Sequence, residues 1–443
     1  MKKTVSLLAI IMCLSVSAQE ISPYLFGQNL WLASNSEGDR IGYIDQLWPK
    51  VEKSGAKIIR IGGNGYNKRM PDYETLTKWV TAIKGIGAEP LMQVSQHKSA
   101  EEAAKLVAFF NKDGKTKIKF WSIGNEPYHM AKMSIDSISA YIKEYASAMK
   151  TVDPSIKILV PDLAAYYNDA YEALLLDDKN SIAGRDENGN WYVDGINFHN
   201  YPNAKDYNRS DVIFYSVTKM RGMILDLLED MEAADKKYDR VGADALTWGL
   251  TEFNITYDNP DDLSATGIAV PSFINGQFWV DVFCMAMEYH AFTVTPWCIQ
   301  ESDRPSTYFG YVGGPPNFTP HSTYYHMQML AENMKGNYIK MHSNNPYLKV
   351  FGSETDDSTT IIIMNQHESK SFNIDLNNIN SNNNKEGYVS ISSEKKIKAN
   401  YSLTSKPNST VLLKFNTKGH KIYELLYDLD MAIRNVPPTA IKN

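Results

Sequence analysis

The sequence has 443 residues, 45 Lys and Arg against 51 Asp and Glu, a net charge of −6 and 43% hydrophobic residues. That length suits two or three domains with large buried cores, which excludes wholesale disorder, and 26 Gly and 19 Pro without a period exclude a collagen-like fibre. The acidic balance argues against a nucleic-acid binder, which would carry a basic stripe.

At the N-terminus, Lys2 and Lys3 precede a short apolar run from Val5 to Val16, and Val16-Ser17-Ala18 supplies small residues before a cut ahead of Gln19. This is the pattern of a cleavable secretion signal over 1–18, and it predicts a secreted or periplasmic protein. The run is shorter than the roughly 20 residues a spanning helix needs, and no other segment is apolar enough, so no membrane span is expected. Losing two lysines takes the net charge to −8. Cys284 and Cys298 then remain, both in apolar surroundings. They read as small buried hydrophobes, with a disulfide in an oxidising compartment as the alternative.

From residue 19 to about 336, short apolar runs alternate with amphipathic stretches. The predicted strands are Tyr24–Trp31, Lys57–Gly62, Glu89–Val94, Lys117–Ile123, Ile156–Pro161, Val193–Phe198, Leu246–Glu252 and Phe292–Trp297. Helical periodicity falls between them, as at Tyr73–Ile86, Ala100–Asn111, Ile135–Val152, Asp211–Ala234 and Phe273–His290. Eight βα units predict an α/β fold, a (β/α)8 TIM barrel. An open doubly wound sheet is disfavoured because no Gly-rich phosphate fingerprint follows the first strand. Over 337–420 the helical period is lost, and strands such as Leu348–Gly352, Thr359–Asn365, Ser371–Leu376, Tyr388–Ser392 and Val411–Phe415, separated by Asn- and Ser-rich turns, predict a C-terminal antiparallel β-sandwich. In the tail, 421–443, Ile422, Leu425, Leu426 and Leu429 fall at helical spacing.

Reactive residues of such a barrel sit at the C-terminal ends of its strands. Strand four runs into Gly124-Asn125-Glu126-Pro127, and strand seven ends in Thr251-Glu252-Phe253. The two glutamates lie 126 residues apart, or three βα units. Two carboxylates across one barrel mouth suit glycoside hydrolysis, in which one group protonates the leaving oxygen and the other stays ionised to attack or to activate water. A gap of about 5–5.5 Å would retain configuration, and about 6.5–9.5 Å would invert it.

Asn125-Glu126-Pro127 after strand four, with Glu252 closing strand seven, resembles clan A of the glycoside hydrolases: retaining enzymes on a TIM barrel, with an added sandwich in families of the 30, 39, 44, 51 and 86 type. The resemblance implies that Glu126 is the general acid/base and Glu252 the nucleophile. It further implies that Asn125 binds the sugar 2-hydroxyl, that Arg60 keeps Glu252 ionised and that Tyr201, with His199, holds it in line. Trp297 would floor the −1 sugar site, where an indole face covers the apolar face of a pyranose. Trp31, Tyr66 and Tyr128 are candidates for outer sugar sites or for packing, and Asn29 and Asn64 for sugar hydroxyls. Arg69 and Arg304 are candidates for an anionic substituent, ordinary loop salt bridges being the other reading. His321 and His326 lack metal-ligand spacing, and the Gly310–Pro316 run lacks the Lys-Ser/Thr of a phosphate cradle. The expected protein is thus an exported retaining β-glycanase that needs no cofactor or metal, endo-acting on a polysaccharide or oligosaccharide. An exo-acting arabinofuranosidase or xylosidase and a non-catalytic carbohydrate-binding protein are the alternatives.

Overall fold

The computed structural model describes residues 20–30, 43–114, 116–301, 308–380 and 387–441. Eight parallel strands follow one another in sequence order: β1 (Gly27–Leu30), β2 (Ile58–Ile61), β3 (Glu89–Val94), β4 (Phe120–Ile123), β5 (Lys157–Leu163), β6 (Gly195–Asn200), β7 (Thr247–Phe253) and β8 (Thr293–Val294). A parallel bridge between Phe26 and Val294 brings the last strand back to the first. The strands read as apolar runs because both of their faces are covered. Inside, Ile58, Leu91, Phe120 and Leu159 form an apolar cluster with Tyr24 and Phe292 at the N-terminal end. Two residues further along the same strands come Arg60, Gln93 and Ser122, all buried. Toward the C-terminal mouth the interior therefore turns from apolar to polar.

Around the barrel run α1 (Ile44–Lys53), α2 (Asn64–Lys68), α3 (Tyr73–Gly85), α4 (Ala100–Ala108), α5 (Ile135–Val152), α6 (Asn168–Leu176), α7 (Val217–Lys237), α8 (Phe273–Glu288) and α9 (Ser322–Asn333). Their starts carry the expected chemistry: the Asp72 side chain accepts the Thr75 N–H ahead of α3, and Ser99 and Glu102 form a reciprocal capping box on α4. On α3, Leu76, Trp79, Val80 and Ile83 make the i, i+3, i+4, i+7 stripe that faces the core. Among the described residues no helix is long and apolar enough to cross a membrane.

The remaining strands are β9 (Asn337–Ile339), β10 (Met341–Ser343), β11 (Leu348–Glu354), β12 (Ser358–Asn365), β13 (Phe372–Asp375), β14 (Tyr388–Val389), β15 (Ile391–Ser393), β16 (Ser402–Ser405), β17 (Ser409–Asn416), β18 (Lys421–Asp428) and β19 (Thr439–Ala440). Six of them form one antiparallel sheet in the order β19-β18-β17-β12-β11-β9, covered by a three-stranded and a two-stranded sheet. One pair, β13 with β14, is parallel. Ile362, Met364 and Leu412 of the large sheet join the barrel core, while Ile361, Ile363 and Leu413 face a second core inside the sandwich.

The tail differs from its helical reading. Residues 421–428 are a strand paired along β17, with Leu425 opposite Leu412, and only Leu429–Ile433 is helical. The apolar positions fit both periods, and the unpaired edge of β17 decides in favour of the strand. Cys284 and Cys298 are buried and free, so the disulfide alternative is not realised. The segment 1–18, Trp31, Arg304 and part of the Asn-rich turn lie outside the described residues.

Candidate active site

Both mouth glutamates owe their direction to local departures from regular strand. After β4, Gly124 sits at φ 76°, and a Cβ there would stand 2.4 Å from Gln96 Oε1. Only glycine lets the chain turn at that point. Glu126 follows at φ 46°, a conformation held by its own N–H bonding to the Asp162 carbonyl at 2.8 Å. On the facing wall, β7 slips against β6 between Phe198 and His199, so that His199 pairs with Glu252. The slip places two successive side chains, Thr251 and Glu252, among the interior groups: Thr251 Oγ1 reaches Asp162 at 2.5 Å and Glu252 reaches Arg60. Re-aiming a side chain in this way is a known use of a bulge.

Glu252 is buried and doubly held. Arg60 Nη1 donates to its Oε1 at 2.7 Å and to Asn29 Oδ1 at 3.0 Å. Arg60 Nη2 donates to Asn125 Oδ1 at 2.7 Å and to Gln93 Oε1 at 3.3 Å. The Tyr201 hydroxyl donates to Glu252 Oε2 at 2.9 Å. Burial and the Glu252 charge push the Tyr201 pKa well up, so the phenol stays a donor.

Glu126 is held differently. Its Oε2 accepts from Asn64 Nδ2 at 3.1 Å, and its Oε1 lies 3.0 Å from His199 Nδ1. His199 Nε2 lies 3.1 Å from Asp162 Oδ1, and Nδ1 is 3.7 Å from Glu252 Oε2. Burial pulls the imidazole pKa down, but the Glu252 charge and the hydrogen bonds to Asp162 and Glu126 outweigh it and raise it to about 9. For Glu126, burial acts upward, and the His199 bond and charge, Asn64 and Arg60 carry it below the ordinary carboxylate value. His199 Nδ1 thus lies within 4 Å of an oxygen of each mouth glutamate.

Atoms of Glu126, His199 and Glu252 all lie within 4.8 Å of one another. A cation offered those atoms would meet the Arg60 guanidinium, which stands 2.7 Å from Glu252 Oε1. Trp297, past the end of β8, donates its indole N–H to Glu301 Oε2 at 3.3 Å. Its ring lies 2.7 Å from where a Cβ of Gly63 (φ 96°) would stand, so the ring is seated against the backbone after β2.

The structure therefore brings Arg60, Asn125, Glu126, His199, Tyr201 and Glu252 into one hydrogen-bonded cluster. Of the other candidates, Asn29 and Asn64 bond to this cluster and the rest fall elsewhere. Asn29 is fully buried, donates to the Thr251 and Thr295 carbonyls at 2.9 and 2.7 Å, and braces Arg60 from below. Tyr66 is fully buried with its hydroxyl on Met92 Sδ, so it packs. Asn64 holds Glu126. Tyr128 is 40% exposed, with its ring 5.3 Å from that of Tyr167. Arg69 is exposed. His326 is buried on α9, 2.9 Å from Thr410 Oγ1, and His321 lies beside Tyr308, both away from the cluster.

Sequence reasoning missed Asp162, Asn197, Gln93 and Gln96. Asp162 directly follows Pro161, where the predicted strand stops one residue short. A carboxylate terminating an apolar run was the signal there, as at Glu126 and Glu252. The two glutamines and Asn197 carried no such signal.

Comparison with known proteins follows the same lines. Glycoside hydrolase family 44 matches residues 31–207. An α-L-arabinofuranosidase from Thermotoga maritima superposes with a TM-score of 0.64 at 16% identity, over 90% of this chain and 97% of that one. A monomeric β-xylosidase from Caulobacter crescentus gives 0.60 at 11% identity, over 89% and 96%. Cel44A, a family 44 endoglucanase from Clostridium thermocellum, gives 0.57 at 14% identity, over 89% and 96%. No curated protein sequence matches. In its TIM barrel, its C-terminal sandwich and the family 44 match over residues 31–207, with two carboxylates facing each other across the mouth, the chain is similar to the glycoside hydrolases of clan A.

Proposed function

We propose that the protein is a retaining glycosidase that cleaves β-glycosidic bonds within a polysaccharide by two displacements. Glu252 attacks the anomeric carbon while Glu126 protonates the leaving oxygen; Glu126 then takes a proton from water, whose oxygen releases the sugar from Glu252. The observation that carries this reading is the closeness of the two carboxylates, with oxygens within 4.8 Å, in unequal surroundings. Retention asks for carboxyl groups about 5–5.5 Å apart, and inversion needs room for a water between them. Arg60 and Tyr201 each donate a hydrogen bond to Glu252 and so aim it, as a nucleophile must be. Asn125 uses its carbonyl on Arg60, which leaves its NH2 group as the donor for a sugar hydroxyl. Trp297 floors the sugar ring.

Endo action is supported by the half-exposed Tyr128 two residues from Glu126 and its pairing with Tyr167. Both rings stand on the side of the acid/base, where the leaving part of a polymer would lie. The N-terminal signal pattern supports export from the cytoplasm; a mature chain starting at Gln19 is the expected result of N-terminal sequencing.

Glu252→Ala and Glu126→Ala are each expected to lower hydrolysis at least about 1,000-fold with the fold intact by circular dichroism. Azide should partly rescue Glu252→Ala and yield a glycosyl azide of inverted configuration. Full activity in either variant would refute the mechanism. Sizing the products on a panel of defined polysaccharides tests endo action. Release of monosaccharide alone would turn the reading to an exo-acting enzyme.

A further inference from the structure

We infer that His199, held by Asp162, stores the proton that Glu126 delivers to the leaving group, and that loss of the Glu252 charge on attack releases it. This rests on the retaining mechanism proposed above. The geometry is a line of three groups: Asp162 Oδ1 is 3.1 Å from His199 Nε2, and His199 Nδ1 is 3.0 Å from Glu126 Oε1. Asp162 is fixed at one end of that line. It is fully buried and accepts from Ser122 Oγ, from Thr251 Oγ1 at 2.5 Å and from Asn197 Nδ2 at 3.0 Å. Its own N–H donates to Asn197 Oδ1 at 2.8 Å, and Arg60 Nη2 stands 3.5 Å from Oδ1. So many donors pin the carboxylate as an anion, and the imidazole ring is fixed between it and Glu126.

The charged and titratable groups facing His199 come from five elements: Arg60 from β2, Glu126 from the turn after β4, Asp162 from β5, Tyr201 from the end of β6, and Glu252 from β7. Three carboxylates stand against one guanidinium, so the ring carries a proton while all three are ionised. Attack turns Glu252 into a neutral ester and removes one of those anions, leaving Arg60 in place. The Nδ1 proton then moves onto Glu126 as a proton passes from Glu126 to the leaving oxygen. The His199 N–H bond and the glycosidic C–O bond break; the leaving O–H bond and the bond from Glu252 to the anomeric carbon form. His199 ends neutral and Glu126 ends as the carboxylate it began as. The negative charge lost from Glu252 is thus matched by the positive charge lost from His199. In the second step, water's proton returns through Glu126 to His199 as its oxygen displaces Glu252.

Asp162 is in this view a positioning residue that acts through His199. The test is a titration of 15N-histidine-labelled full-length protein followed by NMR. His199 should remain imidazolium through neutral pH in the unaltered protein. In Glu252→Gln, which removes the charge and keeps the shape, its midpoint should fall by about one pH unit or more, and in Asp162→Asn it should also fall. The alkaline limb of kcat/KM should move to lower pH in Asp162→Asn, with rate better preserved in mild acid. Should Asp162→Asn fail to fold, Ser122→Ala removes one bond to the same carboxylate and should give a smaller shift in the same direction. An unchanged His199 midpoint in Glu252→Gln overturns the coupling, whatever the enzyme's reaction. A shifted midpoint with full hydrolysis by Glu126→Gln would instead remove the retaining mechanism, and with it the delivery step.

Discussion

Arg60 is fully buried, and its two terminal nitrogens reach Glu252, Asn29, Asn125 and Gln93 at 2.7–3.3 Å. A planar fork reaches several acceptors at once, which an ammonium cannot. Arg60→Lys is therefore expected to lower kcat/KM on the order of 100-fold, read from initial rates, with a rise in KM alone counting against its role at Glu252. His199 sets a stability window of its own. Its folded value near 9 lies above its ordinary 6.5, so its contribution is complete below about pH 6.5 and is lost as pH rises through about 9. Asp162 has the opposite sign: its folded value is held below 3.8 by Arg60, His199 and Ser122 in spite of burial, and its contribution, present above that pH, is lost in acid. Melting temperature measured across pH should thus fall on both sides, and His199→Gln should flatten the alkaline side. An alkaline limb unchanged in that variant would contradict the assignment.

At the scale of elements, strand ends do the positioning. The offset between β6 and β7 sends Glu252 inward, and the turn at Gly124 raises Glu126 above β4. Gly63 after β2 makes a matching demand. Its φ of 96° excludes most side chains, and a methyl group there would meet the Trp297 ring. Gly63→Ala should cost more than about 1 kcal/mol in denaturant unfolding and weaken sugar binding through the displaced indole. A variant of unchanged stability and KM would argue that the ring has room to move. Helix α8 shows how an element can be read correctly and its setting missed. Residues Phe273 to Met287 are all buried, with no polar face, because the barrel and the sandwich cover the helix from both sides.

At the scale of the whole molecule, the sandwich is part of the barrel's core. Gln277 of α8 donates to the Ser409 carbonyl at 3.1 Å, Lys349 of β11 pairs with Asp281 of α8 at 2.7 Å, and Ile362, Met364 and Leu412 lie in the same cluster as the barrel helices. Truncation after residue 336 would expose that apolar face of α8 and α9 and strand Asp281. The barrel alone is expected to be insoluble or unfolded in a solubility and circular dichroism assay. A soluble, active fragment would show that the sandwich is an appendage.

Local pattern was enough to place the barrel strands, since an apolar run that stops at a polar residue needs only neighbouring residues to be recognised. Glu89–Val94 and Ile135–Val152 end where their periodicity ends. The same rule exposed Glu126 and Glu252, and the resemblance to clan A supplied their roles. What tertiary structure decided lies between segments. Whether 421–428 became helix or strand turned on a free edge of β17, and whether Asn29 met sugar or Arg60 turned on what stood beside it in the ring of strands. The surroundings of His199 turned on three carboxylates from different strands converging on one imidazole. Charge interactions sum over distance in space, and only the closed barrel sets those distances.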